Sequence, residues 1–334
     1  MIVRYREDTI GLTPTGELDI VILYYILSRL EDVNLYSEVY WQDKQDIGRK
    51  SVRTSRRRIR VELRPLNVYV SEDFRSIRVT GAVLASYPEK FLKGRKLGVD
   101  IRLGDSISVN RTGDVESLVS LVESRRDRCL VVLVLGLDSY LLAKLSNDME
   151  VVSQRRYLYS KHVSESDVDR YKEDIASDLE WVAKAKRREE CALIVGANIV
   201  SKRYVPSRYR PLIDIMIEGD FEGDVSGLLQ LVRHQKVREA FGDNPYVSKL
   251  ALYAETMAKL ERGEVIYGYE EVSSAVRYGA VKKLIVTTDL LLRNPDAIDM
   301  VVYGLKRRLD VTILNRGDYA YHLVSRFGGA VALF

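Results

Sequence analysis

The sequence predicts a multi-domain α+β protein: a small β-barrel domain with one helix, then an α/β middle domain and a C-terminal α/β sandwich. Three observations carry that expectation. The chain has 334 residues, 46% of them apolar, which is enough for two or three separate cores. As far as Glu123 the apolar residues come in short runs, several at a period of two. Beyond Cys129 continuous aliphatic runs alternate with amphipathic helical stretches, the grammar of α/β domains. The expected domains are 1–125, 129–243 and 246–334, with the polar run Ser124–Arg128 as a hinge.

In the first domain Met1–Tyr5 alternates, Gly11–Gly16 reads as a turn, and Glu17–Leu30 is a helix with Asp19 near its positive end. Short β-rich runs follow at Ser37–Trp41, Ile59–Leu63, Asn67–Val70, Ser76–Ala85 and Ser106–Val109. One helix with five short, bent strands fits an Sm-like or OB-like barrel, architectures common in RNA binding.

The densest charge lies in Gly48–Arg64, where Arg49, Lys50, Arg53, Arg56, Arg57, Arg58, Arg60 and Arg64 stand against one acid, Glu62. Gly48–Ser55 has no period and reads as a cationic loop. Arg58–Arg64 alternates, placing Ile59, Val61 and Leu63 on one face of a strand and the charges on the other. Met1–Ser124 holds 20 basic and 18 acidic residues, and without Gly48–Arg64 the balance is 12 to 17, so the patch sits on an otherwise acidic domain. Such a stretch suits a phosphate backbone, because each neutralised phosphate releases counterions and Arg donates two parallel bonds. A solvated strand whose charges protect a sheet edge is the plainer alternative.

In the middle domain Leu130–Leu135 is a buried strand, Asp138–Leu145 a helix, Ser166–Lys186 a long amphipathic helix, Ala192–Val195 a strand and Val225–Phe241 a helix, as in a doubly wound domain. Lys202–Arg210 (KRYVPSRYR) interleaves Lys202, Arg203, Arg208 and Arg210 with Tyr204 and Tyr209. It fits phosphate contact with base stacking, or a solvent-facing loop anchored by its tyrosines. A helix Tyr246–Arg262 leads into the last domain. There Ile266, Lys283–Thr287, Val311–Leu314 and Ala330–Phe334 are strands, and Tyr269–Arg277, Ala297–Leu309 and Tyr319–Arg326 are helices.

Several classes are excluded. No G-x-x-x-x-G-K-[ST] loop, no G-x-S-x-G elbow and no dinucleotide fingerprint occurs, which argues against an NTPase, an elbow-type serine hydrolase and a Rossmann dehydrogenase. His162, His234 and His322 have no Cys or His at zinc-ligand spacing. Cys129 and Cys191 each open an apolar run; core packing is the expected role and a disulfide between neighbouring strands the alternative, the latter suited to a heat-adapted cytoplasm. The longest apolar run, Cys129–Leu137, is too short to span a membrane, and the charged N-terminus lacks a signal-peptide core, so a cytoplasmic protein is expected. First-domain carboxylates are plentiful: Glu7, Asp8, Glu17, Asp19, Asp43, Asp46, Glu62 and Asp105. Two or more converging would hold a divalent cation and make a nuclease; solvated surface groups are the ordinary reading.

Tyr267-Gly268-Tyr269-Glu270-Glu271-Val272, Ala275, Gly279-Ala280-Val281, Leu284, Thr288-Asp289-Leu290-Leu291-Leu292-Arg293 and Gly328-Gly329-Ala330-Val331-Ala332 resemble the last domain of class I translation release factors and their paralogue Pelota. The Gly-Gly-Gln of release factors is absent, and Tyr159-Ser160-Lys161-His162-Val163 stands where that loop would fall. Ile77-Arg78-Val79-Thr80-Gly81 and the Arg49-Lys50 segment are similar to the Sm-like domain of Pelota. One departure is Gly196-Ala197-Asn198-Ile199, where Pelota proteins carry Pro-Gly-Phe.

The resemblance implies a ribosome-rescue factor of archaeal type. Its partners would be the ribosomal A site with its ribosomal and messenger RNA, GTP-bound elongation factor 1-alpha and the ribosome-recycling ATPase. It would act as a monomer and need no cofactor. The RNA-facing residues would be Arg49, Lys50, Arg53, Arg56, Arg57, Arg58, Arg60, Lys202, Arg203, Arg208 and Arg210. No catalytic residue is expected on this reading. The alternative is an endoribonuclease acting on stalled messages through the first domain, with a divalent metal cation as cofactor.

Overall fold

The alternating runs of the first domain become strands of one sheet. A computed structural model describes residues 1–41, 44–47, 50–53, 57–87, 92–123, 129–146, 149–157, 165–189, 191–242 and 244–334. For residues 41, 44–47, 50–53, 165–167, 188–189 and 254 it describes the backbone alone. The elements are β1 (Ile2–Tyr5), β2 (Thr9–Thr13), α1 (Glu17–Arg29), β3 (Leu35–Trp41), β4 (Lys44–Ile47), β5 (Lys50–Arg53), β6 (Arg57–Val70), β7 (Ser76–Tyr87), β8 (Lys96–Arg102), β9 (Ile107–Asn110) and α2 (Gly113–Glu123).

Seven strands pair in the order β1-β2-β9-β3-β6-β7-β8. The sheet is open, with β1 and β8 as its edges, where the sequence suggested a closed barrel. Helix rather than strand covers the apolar face, because α1 lies on β6 and β7 and α2 on β1. Ile59-to-Leu63 and Asn67-to-Val70 are one strand, bent by register shifts between Glu62 and Leu63 and between Pro65 and Asn67. Opposite the second shift Gly81 is required sterically, since a Cβ there would lie 2.5 Å from the Arg64 carbonyl oxygen. The cationic run Gly48–Ser55 is not wholly a loop: β5 pairs antiparallel with β4 as a separate two-stranded ribbon, Ile47 opposite Lys50. Gly11, read as part of a turn, lies within β2.

The middle of the chain builds a second sheet from β10 (Leu130–Leu135), β11 (Ser139–Leu145), β12 (Met149–Arg156), β13 (Ala192–Ala197) and β14 (Ile215–Glu218), ordered β12-β11-β10-β13-β14. Its helices are α3 (Glu165–Glu189), α4 (Val225–Val232), α5 (Gln235–Phe241) and α6 (Pro245–Glu261). Tyr171, Ile175, Leu179 and Val182 of α3 pack on Val131, Leu133 and Val195. Leu228, Leu231, Val237, Phe241 and Leu250 pack on Val132, Val134 and Ile194, which face the other way. Both faces are therefore dry, so the central strands are aliphatic throughout. That explains the misreading of Asp138–Leu145, expected as a helix: it is β11, hairpinned onto β10 with Leu135 opposite Tyr140, and its apolar run carries no period to mark it as a strand. The expected helix Val225–Phe241 is two, divided at His234, which caps α5. Cys129 and Cys191 form a disulfide. Parallel pairing of Leu130 with Ala192 places the two cysteines side by side.

The last stretch contains β15 (Val265–Tyr267), α7 (Tyr269–Tyr278), β16 (Lys283–Thr287), α8 (Thr288–Arg293), α9 (Asp296–Lys306), β17 (Asp310–Leu314), α10 (Tyr321–Arg326) and β18 (Ala330–Leu333), with strand order β15-β18-β16-β17. Gly268 and Gly279 bracket α7 at φ +88° and +73°, backbone that residues with a Cβ rarely adopt. Asp289 of α8 meets Arg316 at 3.2 Å and Arg293 at 3.6 Å. A hydrogen bond from Tyr321, with those two cations, holds its carboxyl below the usual range.

The chain forms two compact units, one of Met1–Arg126 with Lys259–Phe334 and the other of Asp127–Ala258. In the first, α1 is apolar nearly all round, with Ile20, Val21, Ile22, Leu23, Ile26 and Leu27 buried. It is wrapped by its own sheet on one side and by α9 and β17 on the other. Buried Glu17 accepts a 2.7 Å bond from Asn315 across that junction. At its start Asp19 accepts from the Thr15 and Gly16 amides and pairs with the Met1 ammonium at 2.8 Å.

Candidate nucleic-acid interface

Strand β3 alternates Tyr36, Glu38 and Tyr40 with Leu35, Ser37 and Val39, while β6 alternates Arg58, Arg60 and Glu62 with buried Ile59, Val61 and Leu63. Antiparallel register sets Tyr40 opposite Arg58, Glu38 opposite Arg60 and Tyr36 opposite Glu62, and β7 adds Tyr87 opposite Arg60. Directly opposed residues share a face. The outer face of the sheet is therefore a block of two arginines and one glutamate flanked by two tyrosines.

Glu38 lies between the cations, 2.5 Å from Arg58 Nη2 and 3.0 Å from Arg60 Nε. The two guanidinium groups thus share one carboxylate and carry a net single positive charge. Glu62, the one acid within the cationic stretch, is turned instead to Asn34 and Tyr36, accepting a 3.0 Å bond from each. Burial, followed by that bond and the carboxylate's charge, raises the Tyr36 pKa.

A cavity of about 580 Å³ opens beside this block. Arg4, Arg6, Arg58 and Arg60 line it with Glu38, Asp100 and Asp105, and the hydroxyls of Thr13, Ser106 and Ser108 add donors and acceptors. Arg4 lies directly opposite Gly11 in the β1–β2 pair. Arg4 and Arg6 make no ion pair among the described residues. Of the cavity's acids, Asp100 is 3.4 Å from Arg78, while Asp105 accepts from the neutral Arg102 amide and keeps its charge. The arrangement offers guanidinium donors to phosphate oxygens and carboxylate or hydroxyl acceptors to sugar or base donors.

Not all of the sequence-predicted site falls here. Arg58 and Arg60 are on the face, and Arg57 is exposed opposite Trp41. Lys50 and Arg53 bound β5, with side chains outside the described residues, as Arg49 and Arg56 are altogether. Arg4, Arg6, Tyr40 and Tyr87 were missed. The alternation Tyr36, Glu38, Tyr40 was a usable signal; the facing of Tyr87 was not, because two register shifts separate it from the start of its strand pair.

The fold and the sequence agree on relatives. A Pelota homologue of Thermococcus kodakarensis is 24% identical over 277 residues, covering 77% of this chain and 76% of the relative. One of Methanococcus maripaludis is 20% identical over 340 residues, covering 98% and 96%. The solved Pelota structure of Thermoplasma acidophilum matches with a TM-score of 0.59 at 14% identity, over 100% of this chain and 99% of that one. The chain is similar to archaeal Pelota proteins in sequence and in fold along nearly its whole length. The Archaeoglobus fulgidus Pelota structure matches at TM-score 0.51 and 18% identity, over 99% and 96% of the two chains. No protein-family model matches.

Against the Pelota pattern, the segment in place of Pro-Gly-Phe is well tied down. Asn198 Oδ1 accepts from the amides of Val200 (2.9 Å) and Ser201 (2.7 Å), and Ser201 Oγ donates to the Leu135 carbonyl at 3.0 Å. A Cβ at Gly196 would lie 2.7 Å from Leu231 Cδ2, so a side chain there would require the buried leucine to shift. Residues 159–163, which stand where the release-factor loop would fall, lie outside the described residues.

The second cationic cluster is anchored, with two cations free of ion pairs among the described residues. Tyr204 packs edge-on against buried Tyr171 at 5.0 Å, and Tyr209 is buried with its hydroxyl donating to Glu180 at 3.0 Å. The Tyr209 ring is buried, while Tyr204 is half-buried against the core. Lys202 pairs with Glu218, and Arg208 with Glu180 at 3.8 Å while stacking on Tyr209. Arg203 and Arg210 are exposed and without an ion-pair partner among the described residues.

The carboxylates considered for metal binding lie apart. Glu17 and Asp19 are buried at the start of α1, Glu62 is on the sheet and Asp105 in the turn before β9. Asp43 and the Asp46 side chain are outside the described residues. Among the described residues no three His, Cys, Asp or Glu side chains gather as a metal site. No helix of the described residues is long and apolar enough to cross a membrane.

Proposed function

We propose that this chain is a ribosome-rescue factor that enters the empty A site of a stalled ribosome with a GTP-bound elongation factor 1-alpha. The first domain occupies the decoding centre, with Arg49, Lys50, Arg53 and Arg56–Arg58 against ribosomal or messenger RNA. The recycling ATPase then separates the subunits. One observation carries the reading: a chain matching a Pelota homologue over 98% of its length contains no Gly-Gly-Gln to bring water to a peptidyl-tRNA ester. Its action is recognition by fit and charge, carried out in the cytoplasm by a monomer without a cofactor.

The cationic face supports the RNA-facing part of the reading, since guanidinium groups on a rigid sheet offer fixed phosphate ligands. The test is co-sedimentation with ribosomes stalled with an empty A site, at several salt concentrations. Changing Arg56, Arg57 and Arg58 to Glu should weaken binding at least tenfold and flatten the salt dependence. Unaltered affinity and slope would sink the assigned role, and failure to bind GTP-loaded elongation factor would sink the partnership.

A further inference from the structure

Tyr40 and Tyr87 are each 74% exposed, on the same sheet face as Arg58 and Arg60. Neither makes a hydrogen bond or ring contact among the described residues. Large aromatic rings left in water on a sheet, with guanidinium groups between them, are unexplained by packing. The sheet buries its other face, and among the described residues no element covers this one.

Cross-strand register fixes how the rings are set. Tyr40 lies on β3 beside Arg58, and Tyr87 lies two strands away on β7 beside Arg60. Strand spacing and rise put their Cα atoms about 12 Å apart on the diagonal. A backbone segment laid between the rings passes over Arg58 and Arg60. Glu38 leaves that pair a single net charge, too little for charge to hold a nucleic acid alone.

We propose that Tyr40 and Tyr87 form a two-base stacking platform for an unpaired RNA strand, whose intervening backbone lies on Arg58 and Arg60. Every base has a π-face, so such a platform holds single strands without regard to sequence. A duplex offers no free base faces and does not fit. Within the ribosome reading the strand is the messenger, and that assignment alone rests on that reading.

The test is fluorescence anisotropy of the full chain with a short labelled single-stranded RNA of mixed sequence. Tyr40→Ala and Tyr87→Ala should each weaken binding about tenfold, and Tyr40→Leu and Tyr87→Leu should do the same. The Phe variants should bind within twofold of the parent. The salt slope should stay unchanged, because no cation is removed. On an abasic strand of equal length the parent and the Ala variants should bind alike. Ala variants that bind mixed RNA like the parent, or that lose equally on the abasic strand, would overturn the platform; thermal melts matching the parent exclude misfolding, and the Leu and Phe pair decides the matter if an Ala variant melts early.

Ribosomes supply the second arm. If the strand is the messenger, the Tyr variants lose affinity for ribosomes whose message continues into the A site but not for those whose message ends in the P site. Equal loss on both overturns the messenger assignment in favour of ribosomal RNA. A parent chain that binds single-stranded RNA as described but no ribosome overturns the proposed function and leaves the platform standing.

Discussion

Glu38 sits between Arg58 and Arg60 and so governs how strongly the sheet face attracts phosphate. Replacing it with Gln keeps the shape and removes the competing carboxylate. Glu38→Gln should tighten binding of single-stranded RNA about threefold to tenfold at low salt and steepen the salt dependence by up to one counterion. Its effect on stability should stay within about 1 kcal/mol, as for exposed ion pairs. Anisotropy titrations over a salt series check both, and an unchanged slope would mean that the arginines do not meet phosphate. Spacing showed where Arg58 and Arg60 point, but their neutralisation depends on a residue twenty positions earlier that only strand pairing brings beside them. Tyr204 and Tyr209 show the converse: interleaved with cations in the chain, they are spent on the core.

At the scale of elements, local chemistry was readable wherever the chain punctuates itself. Lys283–Thr287 was read to the residue, since glycine and a helix cap enclose it; Asp138–Leu145 was misread because both faces of β11 are dry. The open sheet was not legible either, as α2 and the strand β8 were not recognised and closure was assumed. Helix α4 offers a test of one local device. Asp224 caps it, accepting from the Ser226 hydroxyl and the amides of Ser226 and Gly227, and the Ser226 bond foremost holds the carboxyl below its usual range. A depressed folded pKa means that the stabilisation is complete above the unfolded value of about 3.9 and fades as pH falls through the folded one. Asp224→Ala should therefore cost about 1 kcal/mol at neutral pH and progressively less as pH falls below about 3.9, read from urea unfolding. A cost that does not fall with pH in that range would assign the effect to something other than the charged cap.

At the scale of the whole molecule, the first and last stretches share one hydrophobic core, with α1 enclosed by α9 and β17. The all-round apolarity of Glu17–Leu30 was the sequence's sign of this, since a helix facing only its own sheet needs one polar side. The partner, however, lies some 300 positions away, beyond the reach of any local pattern. Asn315→Leu removes the bond to buried Glu17 and should cost about 2 kcal/mol. Hydrogen exchange should then quicken in α1 and β17 together; loosening confined to β17 would show that the two stretches do not unfold as one.

Sharing a core between both ends of a chain also sets a timetable. During synthesis Asp127–Ala258 emerges as an uninterrupted piece and can close its core at once, whereas Met1–Arg126 must wait with α1 half covered until Lys259–Phe334 has been made. A product cut off anywhere before Lys259 keeps that apolar flank open to proteases and chaperones.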